Sequence, residues 1–132
     1  MKIIKINDTA SFSKTITEYD ILAFAGITGD FNELHINKIA AKKSTFKERI
    51  AHGMLTASFI STVIGMFLPG KGSIYLEQNL KFLKPVKIGE TITAKVTVIE
   101  FNIEKNIYTL ATVVKNDDDV IVIDGNAKVL YK

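Results

Sequence analysis

Asp30 and His35 stand five residues apart in the run Phe24-Ala25-Gly26-Ile27-Thr28-Gly29-Asp30-Phe31-Asn32-Glu33-Leu34-His35. Adding water to a double bond, or removing it, needs one group to take a proton and another to give one. A carboxylate and an imidazole at this spacing supply both. The residue types leave the division of labour open: either serves as base or as acid. One water bridging the two would let its oxygen and a proton add from the same face. A second element follows at Ala51-His52-Gly53-Met54, where Gly53 opens a long apolar stretch of helical character. The start of a helix presents backbone N–H groups without intrahelical partners, which suits it to an oxyanion.

These residues need elements to hold them. Thr17-Glu18-Tyr19-Asp20 has the form of a capping box with Asp in place of Glu, and predicts a helix running to about Thr28. Gly29 is its natural C-cap, because glycine tolerates the left-handed conformation found there. A first strand is expected over residues 10–17, and a short helix over 37–43 capped by Asn37. Residues 53–68 are apolar on almost every face. Thr56, Ser58, Ser61 and Thr62 interrupt the stretch and Pro69-Gly70 ends it. It falls short of the roughly 20 apolar residues that a membrane span needs, so a buried helix is predicted. The small residues Ser58, Ser61 and Gly65 on that helix predict close strand packing, with the serines bonded back to carbonyls one turn earlier.

Four alternating runs follow, at 73–83, 90–101, 107–115 and 120–131. Asn116-Asp117-Asp118-Asp119 separates the last two as a hairpin turn; it lacks the ligand spacing of a calcium loop. Antiparallel strands with one buried face need a cover, and the apolar helix provides it. The expected fold is therefore α+β, a curved antiparallel sheet wrapped around one long central helix, which is the hot-dog arrangement. One domain over residues 1–132 accommodates it.

Composition narrows the function. The chain is 47% hydrophobic and 23% charged, as a soluble globular protein is. With no cysteine, disulfides and thiolate metal sites are excluded. The N-terminal residues lack the apolar core of a signal peptide, so the expected compartment is the cytoplasm. A net charge of +3 mildly favours anionic ligands, and no basic stripe interleaved with aromatics points to nucleic acid. Lys42, Lys43, Lys47, Arg49 and Lys71 are solvated surface charges or contacts to such a ligand's phosphates. Pro69-Gly70-Lys71-Gly72 follows a helix and lacks P-loop spacing.

The motif around the acid and the imidazole resembles that of the MaoC-like (R)-specific enoyl-CoA hydratases, the hydratase 2 family. Phe24, Ile27, Thr28, Gly29, Asp30, Asn32, Leu34, His35 and Ala41 match its pattern. The likeness continues through Ala51-His52-Gly53-Met54-Leu55 and Leu68-Pro69-Gly70-Lys71-Gly72-Ser73-Ile74-Tyr75-Leu76. It implies a hot-dog fold and hydration of a trans-2-enoyl-CoA to the (R)-3-hydroxyacyl-CoA. On this likeness Asp30 and His35 are catalytic and the Gly53 N–H forms an oxyanion hole. Ser61 matches a position near the catalytic pair. Asn32 either contacts the substrate or holds the loop, and His52 either joins the chemistry or fixes the start of the central helix by a hydrogen bond. No metal or redox cofactor is expected, CoA being part of the substrate. A symmetric homodimer is expected, since a hot-dog sheet leaves edge strands open. Acyl-carrier-protein substrates, thioester hydrolysis and non-catalytic acyl-CoA binding are the rivals. One position departs from the family: Glu33 stands where it has proline, which removes a φ restraint and adds a carboxylate beside the imidazole.

Overall fold

The computed structural model describes residues 3–132. Five strands form one antiparallel sheet in the order β1-β3-β4-β5-β2. Strand β1 is Thr9–Thr15, β2 Ile74–Phe82, β3 Thr91–Asn102, β4 Ile107–Lys115 and β5 Ile121–Leu130. Between β1 and β2 lie α1 (Glu18–Thr28), α2 (Glu33–Ile36), α3 (Lys38–Lys42) and α4 (Gly53–Met66).

Alternation along the strands decides which face is buried. In β3, Ile92, Ala94, Val96 and Val98 have no accessible surface, while Thr91, Thr93 and Thr97 face outward and pair with hydroxyls of β1. Ser13–Thr93 and Thr15–Thr91 approach to 2.7 Å. Leu110, Thr112 and Val114 of β4, and Ile123, Ala127 and Val129 of β5, continue the inner face. Against it pack Leu55, Ala57, Ile60, Val63 and Ile64 of α4. Fully burying an aliphatic side chain of this size stabilises by about 1.5–3 kcal/mol relative to exposure, so this layer dominates the stability. The sheet and its central helix have the hot-dog arrangement that the sequence predicts.

Two expectations need correction. The helix predicted over 53–68 stops at Met66, and it is not enclosed on all sides. The sheet covers one side of α4, and Met54, Ser58, Ser61, Gly65 and Met66 are exposed. The small-residue stripe therefore does not pack against strands: among the described residues nothing lies within 4 Å of where a Cβ on Gly65 would stand. Ser58 bonds the carbonyl of Leu55, three residues back rather than four. In addition, the stretch between the acid and the imidazole is not all loop. Its second half is α2, a helix of four residues, too short to leave a periodic signal.

The strand order places β2 and β3, neighbours in sequence, near opposite edges of the sheet. The connection between them, residues 83–90, lies alongside another part of the chain. There it pairs with the segment preceding α4: Ile50 bridges Lys87, and the Ala51 N–H donates to the Val86 carbonyl at 2.7 Å.

Candidate active site

Helix α1 delivers Asp30. Its N-terminus is closed by the expected capping box, with the Thr17 hydroxyl accepting from the Asp20 N–H and the Asp20 carboxylate accepting from the Thr17 N–H. Burial pushes the Asp20 carboxyl up. The Lys14 ammonium at 2.6 Å and the two Thr17 bonds outweigh that and hold it below its ordinary value. At the other end Gly29 sits at φ 81°, and its N–H donates to the Ala25 carbonyl at 2.8 Å. Only glycine adopts that conformation without cost. The Thr28 hydroxyl donates to the Phe24 carbonyl and accepts from the Asp30 N–H. Asp30 is thereby turned out of the helix with its carboxylate exposed, and its Oδ1 accepts from the Asn32 N–H at 3.2 Å.

Asn32 is the N-cap of α2, its Oδ1 accepting from the Leu34 N–H at 3.1 Å. Glu33 is the first residue of that helix and is exposed. His35, the third, is only 9% exposed. Its Nδ1 lies 2.8 Å from the Ile50 carbonyl. A carbonyl only accepts, so Nδ1 carries the proton and Nε2 is the nitrogen left to exchange one.

The segment 49–52 meets these residues through its backbone and side chains. His52 is 2% exposed. Its Nε2 donates to the backbone carbonyl of Asp30 at 3.0 Å, and its ring stacks on that of His35 with centroids 4.0 Å apart. The Phe24 ring is tilted against that of His52, with centroids 4.8 Å apart. Arg49 donates from Nε to the His35 carbonyl and from a terminal nitrogen to Glu18, both at 2.7 Å. The sequence suggests a solvated surface charge or a phosphate contact for Arg49, yet its side chain is 13% exposed and bonded within the protein. One signal was available. It is the sole arginine in a chain whose other cations are all lysines, and arginine's planar fork suits two fixed acceptors.

A carboxylate oxygen of Asp30 and one ring nitrogen from each of His35 and His52 lie within 4.8 Å of one another. As a metal site the trio fits poorly. One nitrogen of each ring already donates to a carbonyl, and stacked rings set their nitrogens side by side rather than converging as a tetrahedral site requires. As a proton-transfer site it fits well, with Asp30 and His35 each offering an acceptor to one water.

Gly53 begins α4 directly after His52. Among the described residues no side chain caps this helix, and the N–H groups of Gly53 and Met54 have no partner, whereas that of Leu55 donates to the His52 carbonyl at 3.1 Å. Gly53 also lines a cavity of about 390 Å³ with Phe46, Ile50, Phe82, Val86 and Ile123. The Phe82 ring lies over it so closely that a Cβ at position 53 would stand 2.7 Å from Cδ1. Ser61 lies on the exposed side of α4, with no hydrogen bond to Asp30. Lys38, Lys42, Lys47 and Arg49 line a separate surface hollow, and Lys43 and Lys71 are exposed outside it.

Comparison with known proteins follows the same lines. Residues 5–120 match the family described as MaoC like domain. The chain is 50% identical over 127 residues to the (R)-specific enoyl-CoA hydratase of Rhodospirillum rubrum, covering 96% of this chain and 88% of that one. It is 40% identical over 126 residues to the 3-hydroxybutyryl-CoA dehydratase of Methylorubrum extorquens, covering 96% and 80%. The structure of the (R)-hydratase from A. caviae involved in PHA biosynthesis superposes with a TM-score of 0.96 at 37% identity, over 100% of both chains.

Proposed function

The chain belongs to the MaoC-like domain family, and from that premise we propose that it is a hydro-lyase, an (R)-specific enoyl-CoA hydratase adding water to a trans-2-enoyl-CoA. The observation that carries the reading is the gathering of Asp30, His35 and His52 within 4.8 Å of one another, with Gly53, the first residue of α4, following His52 directly in the chain. The carboxylate of Asp30 and Nε2 of His35 each accept a hydrogen from one water. That directs the water's lone pair at the β-carbon. As the C–O bond forms, the π electrons move onto the thioester oxygen, where the Gly53 N–H receives the charge. One water proton passes to the pair, and the pair delivers a proton to the α-carbon. A preorganised donor at such an oxygen typically lowers the barrier by ~3 kcal/mol, and positioned proton-transfer groups contribute ~100-fold or more. The apolar cavity beside Gly53 receives part of the thioester substrate, and Asn32 and His52 hold the pair in place. The thioester itself acidifies the α-position, so the reaction asks for no further cofactor.

The test is incubation of purified protein with crotonyl-CoA, followed by loss of the enoyl absorbance and chiral analysis of the product. Formation of (R)-3-hydroxybutyryl-CoA is expected. Release of free thiol would instead establish a thioesterase, and an unchanged substrate that still binds would establish a non-catalytic acyl-CoA-binding protein. Faster turnover of the carrier-protein thioester would make that the true substrate.

We also propose a symmetric homodimer. Strand β2 is an open edge carrying the exposed apolar side chains Ile74, Leu76 and Phe82, and α4 leaves Met54 and Met66 uncovered, 58% and 70% exposed. A second copy related by a two-fold axis covers such a surface. Sedimentation that finds a fully active monomer refutes it.

A further inference from the structure

The four-residue helix α2 cannot hold His35 by itself. A helix this short is unstable alone, because nucleation costs more than its few bonds return. Its internal bonds fix the Asn32 and Glu33 carbonyls, which accept from the His35 and Asn37 N–H groups at 3.0 and 2.9 Å. The His35 carbonyl has no such partner. The N–H that would reach it in a longer helix, that of Ile39, donates to the Asn37 side chain instead.

We propose that Arg49 is the positioning residue that sets the His35 imidazole for proton transfer. Its Nε supplies the missing donor to the His35 carbonyl at 2.7 Å. The next carbonyl along, that of Ile50, receives the His35 ring proton at 2.8 Å. The Arg49-Ile50 dipeptide thus grips His35 at backbone and ring together. That dipeptide is fixed from behind by the Ile50–Lys87 bridge and the bond from Ala51 to Val86. The other arm of the guanidinium holds Glu18, the first residue of α1, at 2.7 Å. Helix α1 carries Asp30 beyond its far end, so one side chain ties the helix that delivers the acid to the helix that delivers the imidazole. The remaining guanidinium nitrogen is enclosed, with no partner among the described residues, while the other two are committed to fixed protein acceptors. A lysine's single ammonium cannot span both acceptors in fixed geometry.

The inference rests on the proposed hydration reaction, and the experiment separates the two. Arg49→Ala and Arg49→Lys are compared with wild type for kcat and KM on crotonyl-CoA, for thermal unfolding, and for the NMR signal and solvent exchange of the His35 Nδ1 proton. A misplacement of about 1 Å at a reacting group costs on the order of 100-fold in rate. Arg49→Ala is expected to lower kcat by ~10–100-fold with KM within about 2-fold, and to speed exchange of the His35 ring proton. Arg49→Lys, keeping one donor, falls between. If Arg49→Ala does not fold, Arg49→Lys decides by the same split between kcat and KM. A folded Arg49→Ala with wild-type kcat and unchanged ring-proton exchange overturns the proposal. So does a raised KM at unchanged kcat, which would make Arg49 a substrate contact. A wild-type protein inactive on every enoyl thioester, but with ring exchange accelerated in the variants, refutes the hydratase reading and leaves the role of Arg49 standing.

Discussion

Substituting Gly53 by alanine tests whether the start of α4 works as an oxyanion site. The new Cβ would stand 2.7 and 2.8 Å from Cδ1 and Cε1 of Phe82. Ordinary contact begins near 3.4 Å, so the ring must retreat by the difference, 0.7 Å. Phe82 is 52% exposed on an edge strand, and its ring can swing toward solvent at small cost. Alanine also favours the helix over glycine by up to ~1 kcal/mol. The two effects oppose each other, and stability is expected to stay within about 1 kcal/mol of wild type. Activity should not survive as well. The N–H remains, but a methyl group now occupies the approach to it, and donors of this kind act only within about 2.7–3.1 Å of the developing oxyanion. Losing one costs on the order of 100–1,000-fold, so kcat/KM on crotonyl-CoA is expected to fall ~100-fold, with thermal unfolding little changed. The double variant Gly53→Ala/Phe82→Ala removes the ring clash and should remain slow. A folded Gly53→Ala enzyme within about 2-fold of wild type would refute the oxyanion role.

Asp30→Asn and His35→Ala should each lower turnover at least ~100-fold while the circular dichroism spectrum is unchanged; near-native turnover in either removes that residue from the chemistry. Glu33→Pro restores the family residue at the first position of α2, where proline's fixed φ and missing N–H are tolerated. The preceding Asn32, at φ −52° and ψ 128°, already has the backbone that a following proline requires. A gain of up to ~1 kcal/mol is expected from denaturant melts, and a loss would show that α2 needs the freedom glutamate gives it. Asp20→Ala removes half of the capping box and should cost ~1 kcal/mol at neutral pH. Because the folded Asp20 carboxyl is held below its ordinary value of 3.8, its contribution is present above that value and lost as pH falls through the lower folded one. The gap between wild type and variant should therefore close in acid, and a gap independent of pH would show that the charge of Asp20 contributes nothing.

Much of the fold was legible because local rules and the final packing agree. Alternation marks Ile92, Ala94, Val96 and Val98 as one face of a strand, and Thr17, Asp20 and Gly29 mark both ends of α1 by capping chemistry alone. Helix α2 was not legible, because four residues carry no period and its stability comes from Asn32 and Arg49 rather than from its own sequence. The exposed side of α4 was not legible either, since composition reports how apolar a helix is and not how far the sheet reaches around it. In the candidate site, Asp30, His35 and Gly53 stand out by type and spacing. Arg49 and the stacking of His52 on His35 depend on a pairing between distant segments, which the sequence does not announce.

The bond between Ala51 and Val86 has a consequence for how the protein is made. The segment that grips His35 is anchored to residues emerging from the ribosome about 35 positions later. Closing a loop of that length is slow relative to forming a helix, so α1 can form early while the acid and the imidazole stay unorganised. The proposed acid–base pair should be assembled only after the connection past β2 has been synthesised and docked. Activity recovered during refolding is then expected to lag behind helical signal and to rise together with protection of the Ala51 amide, which makes that amide a reporter of when the nascent chain becomes an enzyme.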